Sequence, residues 1–240
     1  MTRSIREIRS IGLAACLCAA VACGGGRPIT VERSVQPFHS IAVVGPLRIA
    51  VEQGATAVRL IGDGAAARGA AVEVQGGVLV IEPAEEGAGD SMIEARVRTP
   101  DLRRISVTGA ADVELDLGEA TRERLELVVS GAGRVSLRGV DAGWLGVEVA
   151  GAADVEILGR AGRLEIAGHG AGVLDLGELC TETADVTLRG AGRATVIATT
   201  RIDARMEGAG LLRYFAPHEL PAPAGGGEVK RLPNAGSCGR

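Results

Sequence analysis

The chain has 240 residues and a formal net charge of -4, and no basic stripe or nucleic-acid motif runs through it, which excludes nucleic acid as a partner. Its aromatic residues are Phe38, Trp144, Tyr214 and Phe215, too few for a site built on rows of stacked rings. Glycine is abundant at 36 residues, and the glycines recur in register with valine and leucine, so they read as ordered turns and not as a disordered tract.

Arg3, Arg6 and Arg9 form a basic start, and residues 11–22 form an apolar run of twelve that ends in small residues. That run is too short for a membrane span of about 20 residues, so residues 1–22 read as an export signal. Ala20-Val21-Ala22-Cys23 resembles the lipobox of bacterial lipoproteins, in which the cysteine becomes the lipidated first residue. Leu13-Ala14-Ala15-Cys16 fits the pattern better at its leucine but would leave almost no apolar core before the cut. Cys23 is therefore the expected anchor, residues 23–36 its linker, and the outer membrane or cell envelope the expected location. Gly24 is compatible with outer-membrane sorting. A plain secretory signal with an incidental cysteine is the alternative. After export, Cys180 and Cys238 remain. An oxidising compartment permits them to pair. The favoured reading is a buried Cys180 in a turn and a free Cys238 in a flexible Gly-rich tail over 233–240.

Between residues 27 and 100, short β-branched runs alternate apolar and polar residues and are bounded by Gly or Pro. They predict strands over 38–44, 47–51, 58–61, 72–74, 78–81 and 93–97. Residues 65–71 hold helix-forming alanines but no apolar stripe, which predicts a loop or a single turn. Residues 83–90 read as a solvated loop.

From residue 102 the chain repeats itself. Six small-residue corners place their first glycines at Gly109, Gly131, Gly151, Gly170, Gly190 and Gly208, so neighbouring copies are 22, 20, 19, 20 and 18 residues apart. A period near twenty is a solenoid signal. Counting from the first glycine as zero, positions -4, -2, +4 and +6 are apolar in nearly every copy, as in Leu127, Val129, Val135 and Leu137. Polar residues lie between them, so each copy reads as two strands, each with one face turned inward. An antiparallel meander of hairpins fits this alternation too. Tight hairpins favour Asn-Gly or Asp-Gly, however, and the repeats have neither. The identical corner and constant phase favour stacked coils of about 20 residues. The expected domain runs from 37 to 232, with repeats over 102–215 and a degenerate capping coil over 220–232.

These repeats, together with Phe38-His39-Ser40-Ile41-Ala42-Val43 and Thr99-Pro100-Asp101-Leu102, resemble the head GIN domain family, whose members carry the label of autotransporter adhesin. The resemblance spans roughly residues 36 to 232. It implies an all-β, right-handed parallel β-helix-like solenoid on an exported, often lipid-anchored bacterial protein, and it carries no catalytic residues with it. The chain departs from the family repeat in two ways. Serine precedes the corner glycine only at Ser130, and aspartate follows three later only at Asp112 and Asp154.

Position +3 reads Asp112, Arg134, Asp154, Val173, Arg193 and Leu211, which predicts a surface ladder of alternating charge. The arginine between the aspartates opposes a metal site there. His39, His169 and His218 are the only histidines; His169 sits at -1, predicted outward beside the corner, with no second ligand at metal-binding spacing around it. Ser130 lacks the Gly-x-Ser-x-Gly elbow and any ordered triad partner. Glu114, Glu156 and Asp175 share position +5, with Ser136 between, and are the best catalytic candidates for a polysaccharide-active enzyme. Trp144 reads as a packing residue in an inter-coil turn. The connector over 117–124 is the longest between repeats and is expected to carry specificity, so that replacing Arg122, Glu123 and Arg124 by alanine should alter binding but not folding. No cofactor or metal is expected. The leading expectation is a non-enzymatic, lipid-anchored β-helix that presents an adhesive or binding surface. Its partner is the membrane through the lipid and an unknown surface, polysaccharide or protein. A β-helix enzyme or a purely structural envelope protein is the alternative.

Overall fold

The computed structural model describes residues 28–83, 93–118, 120–221, 226–234 and 238. The expected signal over 1–22, the anchor Cys23, nearly all of the loop over 83–90 and most of the tail over 233–240 lie outside the described residues. In chain order the elements are β1 (Ile29–Arg33), β2 (Ser40–Val44), β3 (Arg48–Gln53), β4 (Ala57–Gly62), α1 (Gly64–Gly69), β5 (Ala71–Gln75), β6 (Val78–Glu82) and β7 (Glu94–Thr99). The repeats follow as β8 (Arg104–Gly109), β9 (Asp112–Asp116), β10 (Arg122–Gly131), β11 (Arg134–Gly151), β12 (Asp154–Gly170), β13 (Val173–Gly190), β14 (Arg193–Gly208), β15 (Leu211–Phe215) and β16 (Glu228–Arg231). They stack as a parallel β-solenoid of about six turns with ~20 residues per coil.

Each corner separates two parallel ladders. On one side of the coil, β8, β10 and the later halves of β11, β12, β13 and β14 lie in register, with Ile105 on Leu127, Val147, Ile166, Val186 and Ala204. On the other side, β9 leads to the early halves of the same long strands and then to β15 and β16. Val113 there lies on Val135, Val155, Leu174, Ala194, Leu212 and Val229. A short third run closes the coil, Val140 to Ala142 lying on Gly159 to Ala161 and then on Leu179 to Thr181. The residues at -4, -2, +4 and +6 face the interior as their alternation requires; Leu127, Val129, Val135 and Leu137 are each at most 1% exposed.

The corner explains the glycine. Gly151 has φ of +127°, and a Cβ built on it would run into the carbonyl oxygen of Gly131 in the preceding coil. The same oxygen accepts a hydrogen bond from the Ala152 N–H at 3.0 Å, and this bond recurs from corner to corner, as between Ala171 N–H and Gly151 O at 2.9 Å. The coil spacing is thus set where no side chain fits between backbones. Inside the fourth copy, Gly168 replaces the usual apolar residue at -2. Leu188 of the next coil fills the space, its Cδ2 only 2.8 Å from where a Cβ would stand.

The segment before the repeats belongs to the same solenoid, but out of chain order. β2 and β3 form a coil around Gly45, whose N–H donates to Thr108 O at 2.9 Å. β2 pairs in parallel with both β8 and β6, and β3 with both β9 and β7. The first coil is therefore inserted between the second and the third. Antiparallel pairs finish this end, β4 on β7, β1 on β4, and β5 on β6. β1 lies within the stretch over 23–36 read as a linker, so the fold begins before residue 37. Residues 64–69 form a six-residue helix, longer than the single turn that was one of the two expectations for this stretch. Asp63 caps it by accepting from the Ala65 N–H at 2.9 Å, and Ala66 and Ala67 are buried. At the other end, β16 adds to β15, and Tyr214 accepts at its hydroxyl from the Leu220 N–H at 2.9 Å.

Cys180 and Cys238 are joined in a disulfide with a Cα–Cα distance of 5.3 Å. This corrects the reading of Cys238 as a free thiol: Cys180 lies on the short third run of the coil and is bonded to Cys238.

Candidate functional site

Side chains on the outer face of the β10 to β14 ladder fall into columns, because parallel in-register strands place equivalent residues about 4.8 Å apart. One column reads Arg124, Trp144, Arg163, Thr183 and Arg201. Its neighbour reads Glu126, Gly146, Glu165, Asp185 and Asp203, and the next Val128, Glu148, Ala167, Thr187 and Arg205. The inward residues alternate with these: Leu145, Val147 and Val149 are buried.

Trp144 is thus on the outer face and not in an inter-coil turn, which corrects the expectation from sequence. Strand parity carried the signal. Position 144 lies an odd number of residues from each of the inward trio 145, 147 and 149, so its side chain had to point out. Its ring lies across Gly146, where a Cβ would run into the indole. Gly146 interrupts an otherwise acidic column at the place where the ring needs room. The Arg124 guanidinium sits over the indole, its Cζ 3.5 Å from the ring centroid. Around this pair opens a shallow groove of about 600 Å³, lined among others by Arg124, Glu126, Trp144, Glu148, Arg163, Glu165, Asp185, Thr187 and Arg205.

Ion pairs fix much of the face. Arg163 meets Glu165 at 2.8 Å and Asp185 at 2.9 Å, Arg104 meets Glu126 at 3.0 Å, and Arg201 meets Asp203 at 2.8 Å. Such exposed pairs contribute up to about 1 kcal/mol each, so they order the side chains more than they stabilise the fold.

The connector over 117–124 divides into two roles. Arg122 is 8% exposed, donates to Ala120 O at 2.6 Å and to Leu117 O at 3.0 Å, and burial pushes its guanidinium below its ordinary pKa. It holds the loop together, so the expectation that all three alanine replacements spare folding is corrected for Arg122. Arg124 belongs to the groove.

The other candidates are spread out. Glu114, Glu156 and Asp175 lie on the opposite ladder, all exposed, with Ser136 between the first two in register. Ser136 Oγ is buried without a hydrogen-bond partner. In the +3 column Asp112 pairs with Arg48 at 3.8 Å, and among the described residues Arg134 reaches no carboxylate within 4.0 Å. The predicted charge ladder is therefore a ladder of position, with Asp112, Arg134 and Asp154 in register but not bridged. His39 Nδ1 lies 3.0 Å from Ser40 Oγ, and His218 Nε2 lies 3.0 Å from Ile202 O. His169 stands on the outer face beside Arg189 in the next coil. Among the described residues no group of three His, Cys, Asp or Glu side chains is placed to hold a metal ion.

The solenoid has known counterparts. A crystal structure described as a putative adhesin from Bacteroides fragilis superposes with a TM-score of 0.77 at 23% identity, over 86% of this chain and 97% of that one. Another, described as a putative adhesin from Parabacteroides distasonis, gives 0.67 at 22% identity over 87% and 98%. A third, from the same organism and described as a putative lipid binding protein, gives 0.65 at 19% identity over 87% and 98%. At these identities the likeness is one of fold. Curated proteins yield no match. A family model covers residues 37–216, from just before β2 to just after β15. The chain belongs to the family described as "Putative auto-transporter adhesin, head GIN domain".

Proposed function

We propose that this protein is exported, anchored to the cell envelope by a lipid on Cys23, and serves as a non-catalytic adhesive module that binds its partner on the outer face of the β10 to β14 ladder. The observation that carries the reading is the Trp144 groove. A half-buried indole on an outward face contributes little to a core whose inward positions are already filled, whereas a partly apolar, partly ion-paired surface is what a binding patch requires. Continuous backbone ladders on both sides of each coil hold that surface rigid, so little ordering entropy opposes association. Membership of a family with the adhesin label agrees with this. The Cys180–Cys238 disulfide supports an oxidising location outside the cytoplasm.

Two measurements test the reading. Intact-mass analysis of protein from the native membrane fraction should show a lipid-sized increment that disappears in Cys23→Ser. Cells displaying the chain should adhere to their surface partner, and cells lacking it should not. An unlipidated soluble product would remove the anchor, and adhesion that is equal with and without the chain would remove the adhesive role.

A further inference from the structure

We infer that the groove around Trp144 is a subsite for an uncharged saccharide chain, with the indole as its stacking platform. The inference rests on the adhesive reading above and names the ligand class of that face. Trp144 is the only tryptophan in the chain. Gly146 removes the side chain that would lift the ring, so the indole forms a large apolar step on a mostly polar face. A sugar ring has an apolar face of C–H groups and a rim of hydroxyls. The Arg124 guanidinium rests on the indole, 3.5 Å from the ring centroid, so a sugar stacks there by displacing it; the ring face thus bared matches the first, and the rim needs donors and acceptors side by side. Glu148 and Glu165 supply acceptors, and Arg205 supplies donors, all in the same lining.

Charge selects among ligands. The groove sets Arg124, Arg163 and Arg205 against four carboxylates, and Arg163 is already neutralised by Glu165 and Asp185. A polyanion would meet the carboxylates and a polycation the guanidiniums, so neither finds the single-signed field that steers charged partners. A neutral polyol uses both kinds of group and loses to neither. The groove also crosses from β10 to β14, four strand spacings or about 19 Å, which suits a chain of sugars better than a single one. The scarcity of aromatics excludes a row of platforms; one platform beside carboxylates and a guanidinium serves one subsite.

Because Trp144 is the sole tryptophan, its emission reports on the groove. The purified full chain is titrated with a soluble mannan, a galactan, a β-glucan and a xylan, with polygalacturonate and polylysine as charged comparisons. At least one neutral polymer should shift the emission to saturation. By calorimetry that polymer should bind at least about tenfold more weakly to Trp144→Ala. The double variant Glu148→Gln, Arg205→Ala, altered only at exposed side chains, should weaken binding as well, with circular dichroism verifying its fold. No shift with any neutral polymer, binding that both variants leave intact, or saturation by a charged polymer alone overturns the inference. Cell adhesion separates it from the parent reading. Polymer binding and adhesion that both survive Trp144→Ala overturn the saccharide subsite and leave the adhesive role standing. Trp144-dependent polymer binding without adhesion supports the subsite and removes the adhesive role.

Discussion

Replacing Gly151 by alanine tests the corner that sets the coil spacing. The φ of +127° at this position costs an L-residue roughly 1–2 kcal/mol. The new methyl group would also meet the Gly131 carbonyl of the coil before. To relieve that contact the coils must part at the corner, lengthening the 3.0 Å bond from Ala152 N–H to Gly131 O, which contributes about 1 kcal/mol and strands its partners if broken. The expected loss is therefore about 3 kcal/mol. Urea unfolding followed by circular dichroism and by Trp144 emission measures it, and coincident transitions justify two-state treatment. Ala152→Ser, one residue away at an exposed position, should change stability by less than about 0.5 kcal/mol. A loss below about 1 kcal/mol for Gly151→Ala would mean that the corner tolerates a side chain, and that glycine recurs there for some reason other than coil spacing.

Three other perturbations separate the roles assigned above. The disulfide closes a loop with a sequence separation of 58 residues, so Cys238→Ser should lower stability by up to about 4 kcal/mol in denaturant melts, and reductant should have no further effect on the variant. Arg122→Ala should cost about 1–3 kcal/mol by leaving the Leu117 and Ala120 carbonyls without their donor, whereas Arg124→Ala should cost under about 1 kcal/mol yet change the emission of Trp144. Equal losses from the two arginines would contradict the division of the connector. Gly146→Val should shift Trp144 emission toward that of a solvated indole with most of the stability kept, because the valine displaces only an outward ring.

The repeated part of the fold was legible because two simple constraints act on every coil. Alternation fixes which residues turn inward, so the apolar positions of each copy could be read as core, and all but the partly buried Ala204 are buried. The corner fixes glycine by steric exclusion, so its recurrence gave the period. The rest depends on partners distant in sequence. No local pattern places β2 and β3 between β6 with β7 and β8 with β9, because parallel pairing leaves no mark on a strand that says which neighbour it takes. The helix α1 was read as no more than a single turn because its support comes from the Asp63 cap and two buried alanines, not from an apolar stripe. Cys238 looked unpartnered because its partner Cys180 stands 58 residues away in sequence, and no local pattern marks such a pair. Trp144 was within reach: the parity of its strand placed it outside, but an isolated tryptophan beside a glycine resembles a turn when the strand's length is unknown.

The placement of the binding patch on one face of the solenoid is tested most directly by adhesion of cells displaying two variants with verified folding. One is altered on the β10 to β14 face at Trp144 and Arg205, the other on the opposite ladder at Glu156 and Asp175. Loss of adhesion with the first and full adhesion with the second is the result expected. Loss with the second alone, or with neither, would contradict the assignment of function to the Trp144 face.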